Sequence, residues 1–387
     1  MILAVLTLAR MTMGFQFQAL AAVGPVLTAD AIVSHTQLGL LIGLYLLPGA
    51  LFAIPGGWLG KRFGDKCVVS TGLAMMTLGA GLVALFEAYG LLLAGRLLSG
   101  VGAVLLNVLV TKMVTDWFAG HRIATAMGVL VASWPLGIAL ALLTIGPLEQ
   151  ALGLRAAFAL PLLLCALALV LVALFYRDPP PVPTGDEATA AVGAGALSAF
   201  EMRGVLLAGG VWCLYNVALI LPLGFAPDYL VGHGYELGAA GAVVSLASWL
   251  IIPALPLGAL FAERVGRPMA VMLITFGLIM LLLLAIPLSE HYLLIFAALG
   301  LAFGPAGGLI MALPVRVLQA QNRAIGMGVF FTVYYVGMGV FPALAGWLRD
   351  ATGNPAMPLY LAVLAILLAM SSLIAFQVNL RSASAGD

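Results

Sequence analysis

Charged residues are the scarcest class in this 387-residue chain, since Asp, Glu, Lys and Arg together make up 8% of it while apolar residues make up 64%. The mean hydropathy is +1.17, and a soluble domain has only about 45–50% apolar residues. The composition therefore excludes a water-soluble globular protein and predicts an integral membrane protein surrounded by the lipid bilayer. The net charge of +1 gives no reason to expect a nucleic-acid partner.

Cysteines and catalytic motifs are also scarce. The three cysteines, Cys67, Cys165 and Cys213, lie in or beside apolar runs without the spacing of a metal or redox site, and we expect them to serve packing. The sequence has no phosphate-binding loop of the Gly-x-x-x-x-Gly-Lys-Ser/Thr type and no His-Glu-x-x-His pair. We therefore predict no metal, no cofactor and no enzymatic activity.

The apolar runs are about 20 residues or longer, which suits membrane-spanning helices rather than the short alternating strands of a barrel. The first run is interpreted as a membrane helix rather than a cleaved leader, because no basic segment precedes it. Breaks at charged and Pro/Gly-rich positions predict twelve helices, at 3–27, 37–60, 67–88, 91–116, 122–146, 155–176, 204–228, 238–261, 269–288, 292–316, 324–346 and 356–377.

One evident linker divides these helices into six and six. The segment that begins RDPPPVPTGDE at residue 177 is rich in proline and acid and then continues as Ala/Gly. We therefore predict a first bundle at 1–176, a cytoplasmic linker at 177–203, a second bundle at 204–377 and a C-terminal tail at 378–387.

The distribution of basic residues predicts the orientation, because Lys and Arg are retained in cytoplasmic loops. With both termini in the cytoplasm, in what we expect to be a bacterial inner membrane, only Arg155 and Arg349 lie outside. Eleven of the 16 basic residues lie inside: Lys61, Arg62, Lys66, Arg122, Arg177, Arg203, Arg264, Arg267, Arg316, Arg323 and Arg381.

The two halves resemble each other in sequence. TAMGVLVASWPLG at 125–137 and IGMGVFFTVYYVG at 325–337 share a Met-Gly pair and a final glycine at a spacing of 200 residues. Parallel six-helix repeats with a solute site between them are one architecture of secondary transporters. The predicted fold is thus an all-α membrane protein with twelve transmembrane helices in two pseudo-symmetric six-helix bundles.

The turn between the second and third predicted helices carries a recognisable motif. GWLGKRFGDK at 57–66 resembles the Gly-x-Leu-x-Asp-Arg-x-Gly-Arg-Lys signature of the major facilitator superfamily, with Lys61 in place of the acid and Asp65 in place of the second base. RLLSGVG at 96–102 is similar to that family's Arg-x-x-Gln-Gly-x-Gly. The resemblance covers essentially the full length and implies a secondary transporter for which a monomer would suffice.

The resemblance also implies a conformational latch at this turn. The family's acid is thought to contact a helix N-terminus, where a negative group is stabilising by about 0.3–1 kcal/mol and a positive one is not. Lys61 cannot take that part, so either Asp65 replaces it or the latch is rebuilt through Asp116. The gating candidates are Gly57, Lys61, Arg62, Gly64, Asp65, Lys66, Asp116, Arg122, and, in the second-half copy, Glu263, Arg264 and Arg267.

Three basic residues fall within predicted helices, where an ionised group costs at least about 2.5 kcal/mol and marks a candidate functional site. Arg10 could bind the solute or reach the lipid head groups. Arg96 is the coupling candidate, with structural bonding to carbonyls as its alternative role. Lys112 is close to the inner boundary, and we expect it to reach the head groups. No acidic residue is predicted at comparable depth.

Polar and aromatic residues near the middle of the predicted helices complete the candidate site. Buried amides and phenols need partners in hydrocarbon, which either a water-filled pathway or interhelical hydrogen bonds would supply. Together with Arg10, the predicted substrate-binding residues are Gln16, Gln18, Asn107, Trp134, Tyr215, Asn216, Trp249, Tyr334 and Tyr335.

A pathway whose embedded charges are all positive favours a negatively charged cargo, because an arginine can grip a pair of anionic oxygens. We therefore predict a secondary transporter that moves a small anionic solute by alternating access, with a coupling ion or an exchanged anion as a further partner. The alternative is a proton-coupled exporter of neutral or cationic compounds, which would need an embedded acid. A membrane sensor or enzyme is the remaining class, and it would show no solute flux.

Overall fold

The computed structural model describes residues 1–118, 122–177 and 197–384, and within these ranges the chain is helical and contains no strand. Most of the predicted linker, residues 178–196, lies outside the described residues. The α-helices are α1 (Ile2–Ala22), α2 (Gly24–Ala29), α3 (His35–Leu44), α4 (Gly49–Phe63), α5 (Asp65–Leu85), α6 (Tyr89–Phe118), α7 (Ile123–Leu152), α8 (Leu154–Phe175), α9 (Ala199–Gly232), α10 (Leu237–Val265), α11 (Pro268–Ala285), α12 (Tyr292–Met311), α13 (Arg323–Thr352) and α14 (Met357–Ser384).

Twelve membrane spans are present in the described part of the chain, which confirms the predicted number. The first span, Ile2–Ala29, contains α1 and α2, and the second begins with α3. The seventh span, α9, starts at Ala199 rather than 204 because Ser198 and Glu201 form a capping box at its N-terminus. Helix α14 continues to Ser384, so most of the predicted C-terminal tail is helical.

The first two spans are interrupted, the first near its distal end, at Val23, and the second after Leu44. Helix α1 ends before Pro25, and α3 ends at Leu44, four residues before Pro48. Proline lacks the N–H that a continuous helix requires, so breaks at these places are expected. The break after α3 leaves the carbonyl of Leu41 near a helix C-terminus, where it accepts a hydrogen bond from a side chain described below.

The two halves of the chain pack in corresponding patterns. In the first half α1 contacts α7 and α8, and α5 contacts α6 and α8. In the second half α9 contacts α13 and α14, and α11 contacts α12 and α14, which are the same spans counted from the start of each half. The fold is therefore two pseudo-symmetric bundles of six spans each.

Both chain termini lie on one side of the membrane because the number of spans is even. We call this side the termini side and the opposite one the distal side. The loops that follow the second and eighth spans lie on the termini side and turn at Gly64 (φ 85°) and Gly266 (φ 65°). Both φ values are in the left-handed region that favours glycine, so the two copies of the turn share one backbone requirement.

The most extensive contacts between the bundles are those of α3 with α13 and of α7 with α10, and α4 with α13 and α1 and α2 with α9 add smaller ones. A Cβ added at Gly39 or Gly43 of α3 would collide with the backbone of α13, and one added at Gly241 of α10 would collide with Leu142 of α7. These three close approaches lie in the distal halves of the helices. The described structure is therefore closed on the distal side.

Candidate functional site: a cationic cavity between the bundles

A cavity of about 440 Å³ lies between the two bundles. Along α7 and α13 its lining residues precede the residues that close the distal side, and along α10 they follow them, so the cavity lies nearer the termini side than the closure. Ligand sites of small molecules commonly measure about 300–1,000 Å³. The cavity therefore has the size and the position of a central solute site.

Arg10 of α1 is the one charged residue in the described lining. Its Nε donates to Oδ1 of Asn107 at 2.9 Å, and Nη1 donates to the carbonyl of Leu130. The other terminal nitrogen makes no hydrogen bond to a described residue, and none of the described ion pairs includes Arg10. The guanidinium is thus held in position by neutral partners, and its charge is not neutralised by a carboxylate.

Six further residues of the predicted site also line this cavity. Asn107 and Trp134 belong to the first bundle, and the other four belong to the second: Tyr215, Asn216, Tyr334 and Tyr335. Trp134 and Tyr334, which are 200 residues apart in the sequence repeat, lie on opposite bundles of the same cavity. The structure thus brings together seven of the residues selected from the sequence, and their role in binding stays a prediction.

Gln16, Gln18 and Trp249 are outside the lining, so we do not include them in the proposed site. Gln16 lies six residues after Arg10, about 240° further around the helix, and its amide donates to the carbonyl of Met76 and to Ser99. The amide of Gln18 donates to the carbonyl of Leu223 at 2.7 Å. Trp249 is displaced by about 100° from its neighbour Ser248, which does line the cavity.

Arg96 is also outside the cavity, in the packed interior of the first bundle, where it is 3% exposed. Its nitrogens donate to the carbonyls of Leu41 at 2.8 Å, Gln16 at 2.9 Å and Phe17 at 3.2 Å. The guanidinium carbon lies 4.5 Å from the centre of the Tyr45 ring. Arg96 thus joins α1, α3 and α6, and no described contact tests the coupling role predicted for it.

Sequence reasoning missed several lining residues. Trp212 lies one turn before Asn216 on α9, and Thr111 lies one turn after Asn107 on α6. In both cases the spacing of four residues to a selected polar residue was the available signal, because such pairs share a helix face. Ser248 was not selected, because its neighbour Trp249 was chosen at this place in the span.

The distal closure is reinforced by charge. Asp350, near the end of α13, accepts hydrogen bonds from the backbone N–H of His35 at 3.2 Å and of Thr36 at 2.7 Å, and so caps the N-terminus of α3 from the other bundle. The His35 ring lies 2.8 Å from Asp350 and 3.5 Å from Asp228, and Arg349 lies 3.6 Å from Asp228. We call these four ionisable residues the distal gate: His35, Asp228, Arg349 and Asp350.

On the termini side, the gating candidates Asp65 and Asp116 both pair with Lys112, a residue that we expected to reach the lipid head groups. Lys112 forms ion pairs with Asp65, at the first position of α5, and with Asp116, one turn further along α6 at 3.0 Å. Both acids that were considered as replacements for the acid missing at Lys61 therefore form ion pairs with Lys112. All three residues belong to the first bundle, so in this conformation the cluster does not join the two halves.

The other gating candidates also stay within their own bundles. Arg62 lies over the rings of Trp58 and Phe63, at 5.2 and 5.4 Å from their centres, and Lys66 donates to the carbonyl of Tyr176 at 2.8 Å. None of the ion pairs recorded in the described ranges includes the remaining charged candidates, and all of these are exposed: Lys61, Arg122, Glu263, Arg264 and Arg267. Gly57 has open space beside it, and Gly64 forms the turn.

The comparisons with known proteins agree with this arrangement. A sequence model of the Major Facilitator Superfamily matches residues 6–342, and a second match covers residues 225–383. The chain belongs to this superfamily. The similarity therefore extends over both bundles and over the linker between them.

Two curated bacterial relatives are similar over most of this superfamily member. The hexuronate transporter of Bacillus subtilis (strain 168) is 26% identical over 359 residues, which is 87% of this chain and 84% of the relative. The 3-(3-hydroxy-phenyl)propionate transporter of Escherichia coli (strain K12) is 29% identical over 314 residues, which is 78% of this chain and 74% of the relative.

A solved structure with the same fold is that of the nucleoside transporter NupG, with a TM-score of 0.77 and 11% identity over 98% of this chain and 100% of the other. At this identity the likeness shows the fold alone. Taken together, the family match, the curated relatives and the twelve spans make this chain an integral membrane protein that acts as a secondary transporter of a small solute.

Proposed function

We propose that this superfamily member moves a small anionic solute by alternating access, with Arg10 as the residue that binds the anion. The observation that carries the proposal is a guanidinium in the central cavity with no carboxylate partner among the described residues. A buried cation without a counter-ion is costly. An anionic solute would supply the missing negative charge and would accept the hydrogen bond that the remaining nitrogen offers.

The names of the two curated relatives support this choice of charge. Hexuronate and 3-(3-hydroxy-phenyl)propionate are both carboxylates, although the two molecules differ in every other respect. The fold alone does not decide the charge, since it is shared with a transporter of nucleosides. The alternative, export of cationic compounds, needs an embedded acid, and the described lining contains no acidic residue.

The distal gate supports the alternating-access part of the proposal. It joins α3 of the first bundle to α9 and α13 of the second, so the bundles cannot separate on the distal side while these contacts persist. The ion pairs of the termini side stay within the first bundle. We infer that the opposite state breaks the distal gate and brings the Lys112 cluster against the second bundle.

The basic loops support an orientation with both termini in the cytoplasm and the distal side extracytoplasmic, and we propose the bacterial inner membrane as the location. The site is formed within one chain, so a monomer contains all of it. The charge of the transported solute would be balanced either by exchange for a second anion or by transport together with a cation. We propose no nucleic-acid partner.

Uptake into proteoliposomes tests the proposed cargo. The Arg10→Gln variant keeps a hydrogen-bonding side chain but removes the charge, and we expect it to lose anion uptake while its thermal-unfolding midpoint stays near that of the wild type. Trp249→Leu, outside the cavity, is the matched control and should retain uptake. Equal uptake by Arg10→Gln and the wild type would remove Arg10 from the site.

Distances between spin labels test the alternation of the two sides. Cys67 is exposed on the termini side and can be labelled together with Ala270→Cys of the second bundle, since Cys165 and Cys213 are buried. A distal pair, Ala88→Cys and Glu290→Cys in a Cys67→Ser background, reports the other side. We expect the two pairs to change in opposite directions when Asp350→Asn weakens the distal gate, and a change in neither pair would contradict the proposal.

A further inference from the structure

The wall of the cavity that the second bundle supplies is aromatic. Trp212 and Tyr215 stack with ring centres 5.9 Å apart at 25°, and Tyr334 lies 6.1 Å from Trp212 and 5.0 Å from Tyr335. All four residues line the cavity. Arg10 lines the same cavity. The second bundle therefore faces the cavity that holds the guanidinium with a connected group of four aromatic rings.

Polar groups are sparse around this surface. Of the 24 lining residues, five are polar without being aromatic, namely Arg10, Asn107, Thr111, Asn216 and Ser248. Two of these already use their donors on backbone carbonyls of their own helices: Thr111 donates to Asn107 at 2.9 Å and Asn216 donates to Trp212 at 2.7 Å. Most of the remaining lining is aliphatic.

One donor in the aromatic wall has no partner. The indole Nε1 of Trp212 is buried and makes no hydrogen bond to a described residue. Because this nitrogen is shielded from the cavity in the described conformation, the aromatic ring of Trp212 and not its N–H is what the wall offers to a solute. The hydroxyl of Tyr215, in contrast, already donates to the carbonyl of Phe303.

We propose that the solute is an aryl carboxylate, by which we mean a compound that carries an aromatic ring and a carboxylate group, joined directly or through a short carbon chain. This inference rests on the proposed function, because the carboxylate is assigned to Arg10. The ring would stack against Trp212 and Tyr334, where aromatic rings prefer offset or edge-to-face contacts.

The same lining disfavours two other anion classes. A sugar acid presents hydroxyl groups around its whole ring, and each of them would lose its hydrogen bonds to water without finding a partner on the aliphatic surface. A small inorganic anion would leave most of the cavity of about 440 Å³ unfilled and would gain nothing from the aromatic wall.

Binding of a matched set of ligands to the detergent-solubilised full chain tests this inference. The set is 3-phenylpropionate, 3-cyclohexylpropionate, glucuronate, 3-phenylpropanol and 3-phenylpropylamine, and binding is followed by quenching of tryptophan fluorescence and by the shift of the unfolding midpoint. We expect 3-phenylpropionate to bind at least about tenfold more tightly than glucuronate. The cyclohexyl analogue should be weaker than the phenyl compound, because it keeps the charge and the bulk but lacks the ring faces.

Variants of Trp212 test whether the aromatic ring at this position contributes to the affinity for 3-phenylpropionate. Trp212→Leu should weaken 3-phenylpropionate by at least about tenfold and leave glucuronate unaffected, whereas Trp212→Phe should retain most of the affinity for the unsubstituted ring. Trp249→Leu, outside the cavity, should change neither. In the Trp212 variants, the ligand-induced shift of the unfolding midpoint still measures binding if the loss of Trp212 removes the quenching signal.

The outcomes distinguish this inference from the proposed function. Tighter binding of glucuronate than of 3-phenylpropionate, lost in Arg10→Gln, overturns the aromatic class and leaves the anion site intact. Binding of 3-phenylpropylamine or 3-phenylpropanol as tightly as 3-phenylpropionate overturns the anion site itself. Absence of 3-phenylpropionate binding overturns the inference.

Discussion

Arg10 and Arg96 are both arginines of the first bundle that lie within membrane spans, and they have different surroundings. All three nitrogens of Arg96 donate to backbone carbonyls, and a tyrosine ring covers the guanidinium. Arg10 has an amide oxygen and one carbonyl as partners and keeps one nitrogen unused among the described contacts, in a cavity. The unfilled hydrogen-bonding capacity of Arg10 is therefore our reason for proposing it, and not Arg96, as the residue that binds the solute.

The comparison assigns the two residues different tasks. Arg96 connects three helices of one bundle at the point where α3 ends, and this is a structural task. Arg10 is held in one orientation by Asn107 and Leu130 and presents the rest of its fork to the space between the bundles. Substitutions of Arg96 should therefore change mainly the stability of the fold, and substitutions of Arg10 should change mainly the affinity for the solute.

The largest effect is expected from Arg96→Met. It removes three hydrogen bonds to a charged donor, each worth about 1.5–3 kcal/mol, and relief of the buried charge offsets part of the loss, so we expect a net destabilisation on the order of 3 kcal/mol. The measurement is the unfolding midpoint in detergent. Arg10→Met, its counterpart, should change stability much less. If Arg96→Met instead keeps its midpoint and loses solute binding, the assignment of the two tasks is reversed.

The next largest effect is expected from Asn107→Asp. The change preserves the shape of the side chain but places a carboxylate where the amide oxygen now lies 2.9 Å from Nε of Arg10. Since this carboxylate would neutralise the guanidinium from within, we expect anion affinity to fall by about 30-fold, or about 2 kcal/mol. Equilibrium binding of 3-phenylpropionate measures the loss. An unchanged affinity would mean that Arg10 does not supply the charge that the anion meets.

A smaller effect is expected from Arg10→Lys, which keeps the charge and removes the planar fork. Lysine cannot hold Asn107, Leu130 and a carboxylate at once in the same geometry, so we expect affinity to weaken by about tenfold, or about 1.4 kcal/mol. The matched change, Arg96→Lys, should lower the unfolding midpoint and leave affinity unaltered. Loss of affinity in both variants would erase the distinction between the two arginines.

The smallest effect is expected from Asn107→Ala. Arg10 keeps its charge and its bond to the carbonyl of Leu130 and loses one orienting partner, so affinity should weaken by about threefold, within the range of one neutral hydrogen bond. Binding titrations of 3-phenylpropionate with Asn107→Ala and with Asn107→Asp measure separately how much of the affinity depends on the orientation of Arg10 and how much on its charge. A larger loss in the alanine variant than in the aspartate variant would contradict the assigned order.

Sequence patterns predicted the number of spans and the two-fold repeat because both are written in runs of hydropathy and in a fixed spacing. The repeat also led to Trp134 and Tyr334, which line the same cavity from opposite bundles. Gln16 and Asn216 were both selected as polar residues near the middle of a span, and only Asn216 lines the described cavity, since membrane helices are apolar on all sides and carry little information about which face meets a cavity.

Contacts between distant parts of the chain could not be predicted from the sequence. The carbonyls that hold Arg96 come from α1 and α3, and the partner of Lys112 is 47 residues away in α5. The distal gate brings His35 and Asp350 together over 315 residues. Arg96 and Lys112 were recognised as lying within spans, but the residues that they contact in other helices are decided by tertiary packing.

The ratio of the affinities for 3-phenylpropionate and 3-phenylpropylamine, measured by tryptophan quenching in the wild type and in Arg10→Gln, tests the central claim most directly. The two ligands share ring and chain length and differ in the sign of the charge. We predict that the wild type prefers the acid by at least about tenfold and that Arg10→Gln loses this preference. A wild type that prefers the amine, or a variant that keeps the preference for the acid, would contradict the account.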